Sequence, residues 1–149
     1  SVDRRTMNMN QLQIQYVQDS FAQVKPIADT AATLFYGRLF ELDPTLRPYF
    51  KGDLSEQRQK LMTALAFVVA GLDRPHTILP AVQALGKRHV GYGVQAAHYE
   101  TVGAALLWTL AQGLGEQFTA DVADAWAAAY TLLAGVMQEA AAEMELMPV

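Results

Sequence analysis

The stretch Leu85-Gly86-Lys87-Arg88-His89 closes a helix-patterned segment that begins near Ile78. Leu85 lies one helical turn before His89 and shares its face. Tyr99 follows downstream, and an Ala-rich segment further on carries Glu143. Upstream stand Tyr36, Phe50 and Gln57. One imidazole among apolar neighbours, with a few polar side chains on other segments, suits the ligation of a cofactor's metal.

The rest of the chain narrows the choices. A length of 149 residues predicts one domain, 1–149. Hydrophobic residues make up 52% and charged residues 17%, enough for one good core. There is no cysteine, which removes disulfides, thiol nucleophiles and thiolate metal sites. The net charge is −4 and no basic stripe is visible, which argues against nucleic acid as a partner. Arg4-Arg5 is not followed by the apolar region of an export signal. The nearly uncharged run from Ala125 to Met137 is too short for a membrane span. These features predict a soluble, cytoplasmic chain.

Helical periodicity runs throughout. Asn10 to Val24 places Leu12, Tyr16, Val17, Phe21 and Val24 at helical spacing. Pro26 suits the first turn of a second helix, which turns Ile27, Ala31, Leu34, Phe35, Leu39 and Phe40 inward and ends before Asp43-Pro44. Pro44 to Phe50 reads as a short proline-bounded element, and Lys51-Gly52-Asp53 as a loop. Ser55 is a candidate cap for a helix reaching Gly71, which Asp73-Arg74-Pro75 separates from a shorter helix over 78–89. Gly91 and Gly93 mark a corner, and Ala97 to Leu114 is a long helix. Thr119 caps a last helix from about Ala120 to Glu143, with a frayed tail after Glu145. No strand signal, repeat or linker is visible.

Taken together, the order Phe35-Tyr36, Asp43-Pro44, Phe50, Gln57-Arg58 with Leu61, then Leu85 to His89 with Tyr99, resembles a bacterial single-domain haemoglobin. The similarity is to the globin domain of flavohaemoglobins and to Vitreoscilla-type haemoglobins, over roughly Gln11 to Glu143. Gly93 to Tyr99, Thr101-Val102-Gly103 and Asp124-Ala125-Trp126 with Tyr130 add to it. The resemblance implies an all-α, three-over-three globin fold around haem b (iron protoporphyrin IX), with His89 as the metal ligand. It places Tyr36 and Gln57 on the distal side where gas binds, Phe50 flat against the haem and Leu61 over the iron. Leu85 and Val94 would also touch the cofactor, and Lys87 and Arg88 would reach its propionates. Tyr99 and Glu143 would form a hydrogen-bonding network behind His89. The flavin and nicotinamide reductase domain of flavohaemoglobins would lie beyond Val149, so turnover is expected to draw on a separate reductase.

Each residue also has a plainer reading. Tyr36 fits a core aromatic whose hydroxyl meets a backbone carbonyl. Gln57 fits an exposed helix residue, and Phe50 a packing residue. Lys87 and Arg88 fit solvated charges, and Glu143 a solvated carboxylate with Glu139 and Glu145 as competitors. His76 and His98 have no partner at metal-ligand spacing.

Three functions follow. The first binds dioxygen and oxidises nitric oxide, or acts like a peroxidase, with an external reductant. The second carries or supplies oxygen reversibly, without chemistry; for either, dioxygen, nitric oxide and carbon monoxide are the expected ligands and the chain is expected as a monomer or homodimer. The third is a haem-free helical interaction module, against which the co-occurrence of His89, Tyr36 and Gln57 speaks.

Overall fold

The computed structural model describes residues 9–145, of which 144 and 145 are described by backbone alone. Arg4, Arg5, the tail after Glu145 and the Glu145 side chain lie outside the described residues. Among those residues no strand forms, and the chain is all-α: α1 Gln11–Val24, α2 Ala28–Leu42, α3 Ser55–Ala70, α4 Pro75–Gly91, α5 Ala96–Leu114 and α6 Ala120–Glu145. Short 3-10 turns occupy Lys25–Ile27, Pro44–Tyr49 and Gly115–Gln117. No helix among the described residues is long and apolar enough to cross a membrane.

Local chemistry explains most of these boundaries. The Asn10 side chain accepts from the Gln13 N–H at 2.8 Å, while Gln13 returns a bond to the Asn10 N–H at 3.2 Å. This reciprocal cap starts α1. Thr119 Oγ1 accepts from the Val122 N–H at 3.3 Å and starts α6, as its position in the sequence predicts. Ser55, in contrast, does not cap α3. It occupies the first helical position, and the Asp53 carboxylate accepts both its N–H, at 2.9 Å, and its hydroxyl, at 2.8 Å. Those bonds hold the Asp53 carboxyl below the usual carboxylate range.

The helix expected over 78–89 is longer. It starts at Pro75 and runs through Pro80 to Gly91. Pro80 is tolerated because the carbonyl that its missing N–H would have satisfied belongs to His76, which is exposed and near the helix start. Ile27, expected inward, is 40% exposed, since it falls in the 3-10 turn before α2.

Two buried clusters form. The larger gathers Val17, Phe21, Phe35, Tyr36, Leu39, Leu106, Leu110 and Trp126, among others. Trp126 donates to Ser20 Oγ at 2.8 Å, so the indole N–H joining α1 to α6 is satisfied. The smaller holds Ile78, Val82, Val136 and Met137, between α4 and α6. Val68 of α3 packs against both.

The α4–α6 crossing depends on Gly86. A Cβ there would lie 2.4 Å from the Met137 carbonyl oxygen and 2.7 Å from its Cα. Backbone cannot give way as a side-chain tip does, so any side chain at 86 forces the helices apart. Gly86→Ala is therefore expected to lower stability by about 1–3 kcal/mol. Gly37→Ala, on α2 with nothing within 4 Å of the added methyl, is expected to raise it by roughly 0.5–1 kcal/mol. Urea melts of both variants check this. Equal behaviour of the two would mean the close crossing does not exist in solution.

Candidate functional site

The predicted site residues fall into two groups. The first lies on α2, α3 and the turn between them. Tyr36 is 4% exposed. Gln57 Nε2 donates to its hydroxyl oxygen at 3.1 Å. Burial pushes the Tyr36 phenol up from its ordinary value, and the Gln57 bond opposes that in part. Because the amide donates to the oxygen, the phenol's own proton remains available for a third group.

Aromatic rings surround this pair. Phe35 meets Tyr36 edge-on at 5.0 Å, Phe50 does so at 5.4 Å, and Phe40 lies 6.1 Å away. Phe50 is half-buried and also touches Phe40 at 5.7 Å. Arg47 holds it in place by donating to the Phe50 carbonyl, with its guanidinium 5.5 Å from the Phe40 ring. Leu61 is half-buried and packs on the larger core cluster.

The second group lies on α4 and the start of α5. His89 is half-buried, and its Nδ1 pairs with the Leu85 carbonyl at 2.7 Å. A carbonyl only accepts, so Nδ1 carries the proton and Nε2 keeps a free lone pair. Burial lowers the His89 pKa from its ordinary value; the Leu85 bond raises it and the nearby Arg88 charge lowers it further. The ring is therefore neutral at neutral pH, as a metal ligand must be.

Leu85 and Tyr99 are half-buried and pack on the smaller cluster. Tyr130 donates to the Tyr99 carbonyl at 2.5 Å, and its ring lies 2.7 Å from where a Cβ at Gly103 would be. Burial raises both phenols. Val94 is half-buried, whereas Lys87, Arg88 and Glu143 are exposed. Glu139, one turn before Glu143, is half-buried. His76 is exposed. His98 has a local task, accepting from the Gln95 N–H at 3.0 Å at the start of α5.

Sequence reasoning missed the Leu85 carbonyl, because every residue has one. It also missed His98 as a cap, since Gln95 and His98 are not the residue types that usually mark one. Helix α3 carries Leu61, Met62, Leu65, Ala66 and Val68, all half-buried and packed against the larger cluster, whereas Phe67 is exposed.

Comparison with known proteins bears on family and fold. Residues 33–137 match the family model described as Globin. A flavohemoprotein of Bordetella parapertussis is 39% identical over 106 residues, covering 69% of this chain and 26% of that protein. One from Rhodopirellula baltica is 29% identical over 126 residues, covering 83% and 31%. The chain thus spans about a quarter to a third of the length of these relatives. Among solved structures, an engineered carbene transferase based on a candidate nitric oxide dioxygenase of Rhodothermus marinus superposes with a TM-score of 0.84 at 26% identity, covering 93% of this chain and 96% of that one. A bacterial globin from Campylobacter jejuni does so with 0.82 at 23% identity, covering 91% and 99%.

The depressed His89 pKa has a measurable consequence in the haem-free chain. Below the ordinary histidine value of 6.5 the unfolded chain takes up a proton at this residue before the folded chain does. Stability is therefore expected to fall as pH drops through that value. His89→Gln removes this contribution while His76 and His98 remain. Urea midpoints between about pH 5 and pH 8 should slope less steeply in the variant; identical slopes would place His89 in water.

Proposed function

This chain belongs to the globin family, and we propose that it holds haem b with His89 Nε2 as the protein ligand to iron. Family membership carries haem and gas binding. The donor set fits: Nδ1 is committed to Leu85, which leaves the Nε2 lone pair free to bind a metal. Among the described residues no three imidazoles, carboxylates or thiols gather, and a porphyrin brings the remaining ligands itself. Phe50, Leu61, Leu85 and Val94 would pack on its faces. Lys87 and Arg88, exposed on α4, would pair with its propionates.

We assign the chain to nitric oxide detoxification. A bound haem would supply a site for dioxygen, nitric oxide or carbon monoxide and the chemistry that, with one electron from a reductase, converts dioxygen and nitric oxide into nitrate. The observation that carries this reading is the 3.1 Å pair of Gln57 and Tyr36. Gln57 donates to the phenol oxygen and so polarises its O–H, which is left to face the gas. A donor in an apolar surround favours a ligand that gains negative charge, as dioxygen does and carbon monoxide does less. Reversible oxygen carriage is the second reading. It is favoured by the neutral carbonyl at His89 Nδ1, which lends the ring less electron density than a carboxylate would.

Ligand kinetics on the reconstituted chain test the distal assignment. His89→Ala should lose most haem retention. Tyr36→Phe should speed dioxygen release roughly ten- to hundred-fold, with a smaller effect on carbon monoxide. Gln57→Ala should do less, and the double variant should match Tyr36→Phe alone, because Gln57 acts through the phenol. Additive effects would mean that Gln57 meets the gas directly. Full haem content with an unchanged ferrous spectrum in His89→Ala would overturn the ligand assignment.

The iron–histidine stretch in ferrous resonance Raman separates the two readings. Glu143→Gln or Glu139→Gln should lower it if that carboxylate, with Tyr99, supports the imidazole. A drop in either variant favours oxygen activation and nitric oxide turnover. No shift in either leaves Leu85 as the acceptor and favours carriage.

A further inference from the structure

We propose that Tyr49 and His98, meeting over Gly93, form a clasp between two loops that sets how tightly the cofactor slot closes. The proposal rests on the haem reading above and names two positioning residues for it. Tyr49 ends the turn Pro44–Tyr49, immediately before Phe50. Its ring stands edge-on to His98, with centroids 5.5 Å apart and planes at 71°. A Cβ on Gly93 would sit 3.6 Å from Tyr49 Cε1, so the phenol also lies against that backbone. Gly93 has φ of +83°, a conformation costly for any other residue.

Each side of the clasp is fixed from behind. On the Tyr49 side, Arg47 donates to the Phe50 carbonyl and lies over Phe40. On the other side, His98 Nδ1 accepts from the Gln95 N–H at 3.0 Å, which orients the imidazole. The neutral ring then carries its proton on Nε2. One loop leads from α2 to α3 and carries Phe50. The other leads from α4 to α5 and carries Val94, with His89 at the end of the helix before it. The contact therefore ties the aromatic wall beside Tyr36 to the segment that carries the metal ligand.

Core packing joins α2 to α5 deeper in the larger cluster; the clasp acts on the loops at their ends. The two buried clusters share Val68 on α3, but Tyr49 is 45% exposed and Gly93 is exposed too. Tyr49 is only partly covered, and the ring that its own ring meets is His98. Loss of that contact should free the loops from each other while both clusters stay packed.

Amide exchange on the haem-free chain and haem loss from the loaded chain test this together. Tyr49→Ala should speed exchange at the Gln95 N–H without changing exchange in α1. It should also speed haem transfer to an acceptor apoglobin by roughly two- to ten-fold, the range expected for one aromatic pair. Tyr49→Phe keeps the ring and should restore both. Faster exchange in α1 as well would reduce the effect to general destabilisation and overturn the clasp. Unchanged exchange at Gln95 in Tyr49→Ala would overturn it too, whatever happens to haem. A wild-type chain that takes up no haem would instead defeat the haem reading, while the exchange data would still report on the loops.

Discussion

The arrangement depends most on a place where a side chain is missing. Gly86 lets α4 lie against the backbone of Met137 on α6, closer than any Cβ permits. The crossing fixes the register of α4, because no neighbouring residue on that face could take the same place. Ile78 and Val82 then pack beside Val136 and Met137. His89 is one turn beyond Gly86, so its position is set by that crossing. The half-buried imidazole also meets the Tyr92 ring, with centroids 5.8 Å apart. Its orientation comes from the backbone behind it, through the Leu85 carbonyl.

On α2 and α3 the constraint is polar. A phenol as buried as Tyr36 loses its water, and an unpaired hydroxyl there would cost on the order of 1–3 kcal/mol. Gln57 offsets that loss with one N–H. Phe35, Phe40 and Phe50 hold the ring from several sides, leaving its hydroxyl little freedom. The Arg47 bond to the Phe50 carbonyl extends that support to the surface. Position and polarity are thus supplied by different residues, which separates the loss of a donor from the collapse of a wall.

Elements defined by local chemistry were legible in the sequence. The periodicity of α1, the Thr119 cap and the stop at Gly71 each depend on residues within a turn or two. Pro80 misled because proline usually interrupts a helix, but near a helix start the orphaned carbonyl can face water. Ser55 misled because it is already helical: its own N–H and hydroxyl donate to the Asp53 carboxylate, two residues earlier, instead of its oxygen accepting from the first turn. Tyr36 and Gln57 were expected together and do meet at 3.1 Å; the role given to His89 rests on its type and spacing. The Leu85 acceptor was not legible, since backbone groups leave no signature. Nor was the meeting of Tyr49 with His98, which depends on how two distant loops approach.

The carboxylate expected behind His89 raises a question that spacing alone could not answer. Glu139 and Glu143 are a turn apart on α6, so periodicity favours neither over the other. Exposure does distinguish them. Glu143 is exposed, and a charge in water is screened before it reaches a half-buried ring. Glu139 is half-buried, where a charge acts through less solvent. Any carboxylate must also displace or share the 2.7 Å bond from Nδ1 to Leu85. That exchange costs a good hydrogen bond but places a charged acceptor where a neutral one stood, and charge-assisted bonds are roughly twice as strong.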